Sequence, residues 1–131
     1  MVIAYSTKRE ISPIQLLELY KDSGLKRPEN LERLAIMIKY SNLIVTAWNE
    51  EKLVGIARSI TDYSWSCYLA DLAIARDYQK QGIGKKLIQI TKDVIGSETM
   101  LLLLSVPTAK TYYPKIGFEK IDNAFQISRE L

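Results

Sequence analysis

Residues 79–96 read QKQGIGKKLIQITKDVIG, and the change of character halfway through this stretch decides how the rest of the chain is arranged. Glycines stand at 82 and 84, after which Ile83, Leu87, Ile90 and Val94 step by four, three and four, with Lys85, Lys86, Gln89, Lys92 and Asp93 filling the other side. That spacing predicts an amphipathic helix closed by Gly96. Before it, CYLADLAIA (residues 67–75) is a long β-rich run that ends at Arg76-Asp77. After it, ETMLLLLSV (98–106) is almost unbroken apolar sequence, as expected of a strand covered on both faces. Strand, helix and buried strand make a βαβ unit, whose two strands should be parallel and joined by a right-handed crossover.

Outward from this unit the elements are simpler. VIAYS (2–6) begins a strand, and Ser12-Pro13 reads as an N-cap followed by a first-turn proline. The helix it opens runs to Asp22, presents Leu16, Leu17, Leu19 and Tyr20 on one side, and stops at Ser23-Gly24. A second helix is predicted from Pro28 to Tyr40, because Leu31, Leu34, Ala35 and Ile38 fall three and four apart. NLIVTAWN (42–49) and KLVGIARSIT (52–61) read as a hairpin. Residues 107–117 allow a short helix before Gly117, and GFEKI (117–121) with AFQISREL (124–131) reads as a terminal β pair. The order is β α α β β β α β α β β. It predicts one α/β domain over residues 1–131, with a mixed sheet and helices on both faces.

Composition removes several chemistries. The chain has no histidine and one cysteine, Cys67, so it cannot assemble a Ser-His-Asp or Cys-His relay, a zinc finger or an internal disulfide. No metal site is expected. Eighteen basic against fifteen acidic side chains give a net charge of +3, too small and too scattered for a nucleic-acid surface. No stretch is apolar enough to cross a membrane, and MVIAYSTKRE lacks the apolar core of a secretory signal. With so little cysteine, a reducing cytoplasm is the expected location.

The chemistry is expected at residues 79–86, where a strand ends, glycines permit close approach of the backbone, and a helix begins. Such a junction aims free N–H groups and a positive helix end at one spot, which suits an anion. Lys85 and Lys86 add positive charge in a first turn that helix electrostatics would fill with acids, and an external phosphate would relieve that conflict. A glycine turn flanked by solvated lysines is the plainer alternative. The nucleotide patterns do not fit. No glycine stands at 79, and Lys86 takes the Ser/Thr place of a P-loop, while Leu87 takes the third glycine's place in a dinucleotide fingerprint.

Gln79-Lys80-Gln81-Gly82-Ile83-Gly84 resembles the Q/R-x-x-G-x-G/A signature of the GNAT superfamily of N-acetyltransferases, and Asp71-Leu72-Ala73-Ile74 resembles the strand before it. Ala109-Lys110-Thr111-Tyr112-Tyr113-Pro114-Lys115-Ile116-Gly117-Phe118 is similar to that family's later A-x-x-x-Y-x-x-x-G-F block. The two motifs stand in the family's order, and the element order is similar over nearly the whole chain. The resemblance implies a mostly antiparallel sheet with a central, splayed parallel pair, and transfer of an acetyl group from acetyl-CoA to an amine on a small molecule or peptide. It implies that amides around Gln79, Gln81, Gly82, Ile83, Gly84 and Lys85 hold the diphosphate, and that the backbone of Leu72, Ala73 and Ile74 bonds the pantetheine arm. Tyr113 aligns with the tyrosine that returns a proton to the departing thiolate. Pro114 sits where it could disturb the aim of that side chain, and Tyr112 reads as packing.

An amine with a pKa of about 10.4 must lose a proton before it attacks. With histidine absent, Asp71 is the candidate base, on the reading that its apolar neighbours Leu69, Leu72 and Ala73 raise its pKa. The alternative is an ordinary strand carboxylate paired to Arg58 or Arg76. Cys67 reads as a small buried residue. Trp48, Tyr63, Trp65 and Tyr68 read as packing or an acceptor wall. Two other functional classes share this sequence: a non-catalytic acyl-CoA sensor and a nucleotide-phosphate binder. A homodimer is compatible with the size.

Overall fold

Side chains close the first two helices where the sequence offers them. Ser12 accepts from the amide of Gln15 while the Gln15 side chain accepts from the amide of Ser12, a complete capping box ahead of α1 (Pro13–Ser23). Asn30 accepts from the amide of Arg33 and opens α2 (Leu31–Lys39), three residues later than Pro28 suggests. In the computed structural model, which describes residues 2–130, these helices follow β1 (Ala4–Ser6) and precede a hairpin of β2 (Leu43–Asn49) and β3 (Lys52–Thr61). β4 (Ser66–Ile74), α3 (Ile83–Ile95), β5 (Met100–Leu103) and a single-turn α4 (Tyr112–Lys115) complete the order. Between β3 and β4, Asp62 accepts from the amides of Ser64, Trp65 and Ser66 and holds the turn.

The sheet order is β1-β2-β3-β4-β5, antiparallel except for the β4/β5 pair, as the βαβ reading requires. A Cβ on Gly55 would lie 3.2 Å from side-chain atoms of Ile74, Ile83 and Leu87, so β3 and α3 touch where that glycine stands. Alternation along β3 then sends Arg58 to the opposite face, where Tyr20 of α1 lies. The predicted helices on both faces are therefore present. The core runs through both layers and includes Leu16, Leu34, Val45, Trp48, Ile56 and Leu87, with Cys67 buried among them.

Two expectations need correction. The buried stripe of α3 is Ile83, Leu87, Ile88, Thr91 and Ile95, while Val94 is exposed. Thr91 can occupy a buried position because its hydroxyl donates to the carbonyl of Leu87 at 2.9 Å. The terminal β pair is absent among the described residues: the chain after Gly117 has no strand, and Phe125 and Ile127 are fully exposed. Two short strands that bury little apolar surface are marginal alone. Without them β5 forms the edge of the sheet, and the parallel pair is not central.

Gly55→Val would force side-chain carbons into the α3 contact. Overpacking of this kind costs about 1–3 kcal/mol, so urea unfolding should show a lower midpoint. An unchanged midpoint would mean that α3 does not rest on β3 as described.

Candidate active site

β4 and β5 run side by side only briefly. Their register covers Ser66↔Met100 to Leu69↔Leu103, whereas β4 continues to Ile74 along β3. Beyond Leu69 the side of β4 turned toward β5 has no strand on it. The amide of Ala75 donates to the carbonyl of Val54 on β3, so the main-chain groups of Ala73 also point to β3. By the same alternation those of Leu72 and Ile74 point into the open side. The carbonyl of Ile74 confirms this direction, because it accepts from Gln79 Nε2 at 2.9 Å. Leu72 and the amide of Ile74 therefore face the gap, and Ala73 does not.

The divergence begins at a bulge. Arg58 pairs with Asp71 and Ser59 with Leu69, leaving Ala70 unmatched. One extra residue reverses the facing of every side chain after it, so Asp71 points away from the α3 side that Leu69 faces. There its carboxylate accepts from Arg58 Nε at 2.5 Å, from the hydroxyl of Tyr20 and from Arg27 Nε. Arg27 also donates to the carbonyl of Ala70 at 3.1 Å, and Arg58 to Ser41 Oγ at 2.9 Å. Asp71 is 2% exposed. Burial pushes its carboxyl up, but the Arg58 hydrogen bond and charge, with Tyr20 and Arg27, outweigh that and hold it below the ordinary value. This direction is opposite to the one expected from its apolar neighbours in the strand. Arg58 is the partner named by the alternative reading. Arg76 instead uses its amide on Asp22. The missed contributors, Tyr20 and Arg27, come from α1 and the segment after it, far away in sequence.

At the far end of the gap, α3 starts without a side-chain cap, unlike α1 and α2. Its first internal bond runs from the Lys86 amide to the Gly82 carbonyl, so the amides of Ile83, Gly84 and Lys85 have no partner within the helix. Gly82 has φ +85°, a left-handed conformation that an L side chain adopts only with strain. The first turn holds no acid. Gln79 fixes the loop to β4 through Ile74, and Gln81 Nε2 donates to the carbonyl of Asp77. Both glutamine side chains thus shape the loop.

The hydroxyl of Tyr112 lies 3.8 Å from the place of a Cβ on Gly84. Leu72 Cδ2 lies 3.7 Å from the same point, so Tyr112 adjoins both the helix start and the gap. Tyr113 packs edge-on against Phe118 and Tyr112, with ring centroids 5.5 and 5.3 Å away. Burial, with a smaller effect of Tyr112, raises the Tyr113 pKa, so its phenol is protonated at neutral pH. Tyr113 lines a cavity of about 810 Å³ beside β5, together with Leu101, Leu103 and Phe118. Trp48 belongs to the core, while Tyr63, Trp65 and Tyr68 are exposed. Among the described residues no cluster of three or more His, Cys, Asp or Glu side chains could hold a metal.

The chain is similar to known proteins in sequence and in fold. The family model described as "Acetyltransferase (GNAT) domain" matches residues 16–128. The uncharacterized N-acetyltransferase ycf52 of Pyropia yezoensis is 30% identical over 125 residues, covering 90% of this chain and 71% of its own. A probable acetyltransferase of meticillin-resistant Staphylococcus aureus superposes with a TM-score of 0.86 at 18% identity, over 99% of this chain and 100% of that one. An aminoglycoside acetyltransferase from an uncultured soil metagenomic sample gives 0.70 at 23% identity, over 98% and 96%. These two solved structures share the fold.

The lowered pKa of Asp71 fixes the sign of an acid effect. Its contribution to stability is complete above the unfolded carboxyl value of about 3.9 and is lost as pH falls toward the folded value. Denaturant midpoints followed down from about pH 7 should fall more steeply below about pH 4 for the native protein than for Asp71→Asn. Parallel curves would contradict the charge state assigned to Asp71.

Proposed function

Because this chain belongs to the GNAT acetyltransferase family, we propose that it moves the acetyl group of acetyl-CoA to an amine by direct attack within a ternary complex. The observation that carries this reading is the uncapped start of α3, set at one end of an unpaired stretch of β4. An anion needs donors without partners, and the amides of residues 83–85 are such donors. An amide-bearing arm needs a strand edge with free main-chain groups, and Leu72 and Ile74 offer one. Bound acetyl-CoA supplies the activated thioester.

The chain's own residues have distinct roles in this proposal. The amides of Ile83, Gly84 and Lys85 bind the diphosphate, with Lys85 adding charge, and the turn at Gly82 brings the backbone close enough. Gln79 and Gln81 act by shaping that turn. Leu72 and the Ile74 amide orient the pantetheine. Ala73 supports the strand from the β3 side. The Tyr113 hydroxyl gives its proton to the departing sulfur; a phenol of pKa about 10 or above stays protonated for this at neutral pH. Tyr112 is the second reading for this role, because its hydroxyl adjoins Gly84. Asp71 holds Arg27 and Arg58 in place, and the acceptor amine loses its proton to water. An acid whose pKa is lowered by three donors is a poor base near pH 7. No helix among the described residues is long and apolar enough to cross a membrane. The buried thiol of Cys67 takes no part in the reaction and suits the reducing cytoplasm proposed as its location.

Gly82→Asp adds strain and a negative charge at the diphosphate position and is expected to abolish CoA binding in titration calorimetry. Unchanged affinity would refute the docking site. Tyr113→Phe should lower acceptor-dependent thiol release by about 10² or more with CoA affinity nearly unchanged. If Tyr112→Phe gives that loss and Tyr113→Phe does not, the proton donor is Tyr112. Tight CoA binding with no thiol release across amines, peptides and aminoglycosides would mark a sensor instead.

A further inference from the structure

The cluster around Asp71 is electrically unbalanced. It joins two guanidinium groups, Arg27 and Arg58, to one carboxylate, and Tyr20 contributes only a neutral hydroxyl. The side chain of Arg58 is 9% exposed and that of Asp71 1%, so that pair is sealed inside. Arg27 is 28% exposed and carries the surplus charge outward. It opens into a cavity of about 420 Å³ between α1 and the start of the α2 segment, where Tyr20, Lys21, Lys26 and Glu29 also stand. Three cations against one acid line that cavity, above a buried group with excess positive charge. Arg27 already donates to Asp71 and to the carbonyls of Lys26 and Ala70, but the one carboxylate it shares with Arg58 leaves its charge only partly neutralised, and a partly exposed cation of this kind gains from a further anion.

The position of this cavity matters as much as its charge. Arg27 holds the Ala70 carbonyl, and Ala70 is the residue at which β4 leaves its partner β5. A molecule seated on Arg27 is therefore next to the opening of the gap in which the thioester is proposed to lie. We infer that the cavity bounded by Tyr20, Lys21, Lys26 and Arg27 receives an acidic group of the acceptor, so that the substrate is an amine also bearing a carboxylate or a phosphate. This inference rests on the acetyl transfer proposed above and narrows its acceptor. It disfavours polycationic amines such as aminoglycosides, whose charge would meet Lys21, Lys26 and Arg27.

The test compares matched acceptors in thiol release. One arm sets an amino acid with a side-chain carboxylate against its carboxamide; a second sets a phosphorylated aminosugar against the unphosphorylated sugar; a third uses an aminoglycoside. In at least one of the first two arms the acidic member should have a kcat/KM at least about tenfold higher, the scale of one charge-assisted hydrogen bond. Which arm responds separates carboxylate from phosphate. The double variant Lys21→Glu/Lys26→Glu should collapse that acidic-to-neutral ratio. Equal rates in both arms, preference for the aminoglycoside, or an unchanged ratio in the double variant would overturn the inference. Calorimetry with the same acceptors in the presence of CoA gives a readout that does not need turnover. If no thiol is released but an acidic member binds, and the double variant loses that binding, acetyl transfer fails and the acidic pocket stands. If no acidic member binds or reacts, the pocket assignment fails.

Discussion

Ala70 has no partner on β3, and through that unmatched residue Asp71 turns from the α3 side of the sheet to the side of α1. Two arginines and a tyrosine meet it there. Burying such charges is costly unless each is matched, and removing one member leaves the others exposed to that cost. Asp71 spends both carboxylate oxygens on its partners. Arg27 closes the arrangement by binding the bulged carbonyl itself. The cluster therefore fixes the place where β4 departs from β5, and the gap follows from that departure.

The second constraint is the uncapped start of α3. α1 and α2 use Ser12 and Asn30 to satisfy amides that helix geometry leaves free. α3 has glycine at that position and lysines where acids would be favourable. Such a terminus is better matched to an external anion than to its own sequence. The gap and the helix start are joined by residues 75–82, a loop tied back to β4 and α1 through Gln79 and Arg76.

Much of this was legible in the sequence, and the departures have physical reasons. The βαβ unit and the hairpin show clear periodicities, and the turn at Gly82 shows its glycine. The buried face of α3 was harder to read, because a threonine stands in it and shields its polarity by bonding to the preceding turn. The terminal β pair has the alternation of a strand, but alternation does not supply a neighbouring edge to pair with. Asp71 has the most instructive environment. Its strand neighbours are apolar, so local sequence suggests a raised pKa. Its direction is set by groups up to 51 positions away, which a bulge brings together. A one-residue irregularity in strand register leaves no mark in the local pattern.

On the proposed function, the diphosphate and pantetheine of CoA occupy the α3 start and the β4/β5 gap, and not the surface that Leu102, Phe118 and Ile121 form beside β5. Backbone amide chemical shifts, followed by NMR as CoA is added, test this most directly. Saturable shifts are expected at Ile83, Gly84, Lys85, Leu72 and Ile74. Shifts confined to residues 100–104 and 118–121, which line the cavity beside β5, with the α3 amides unmoved, would contradict it.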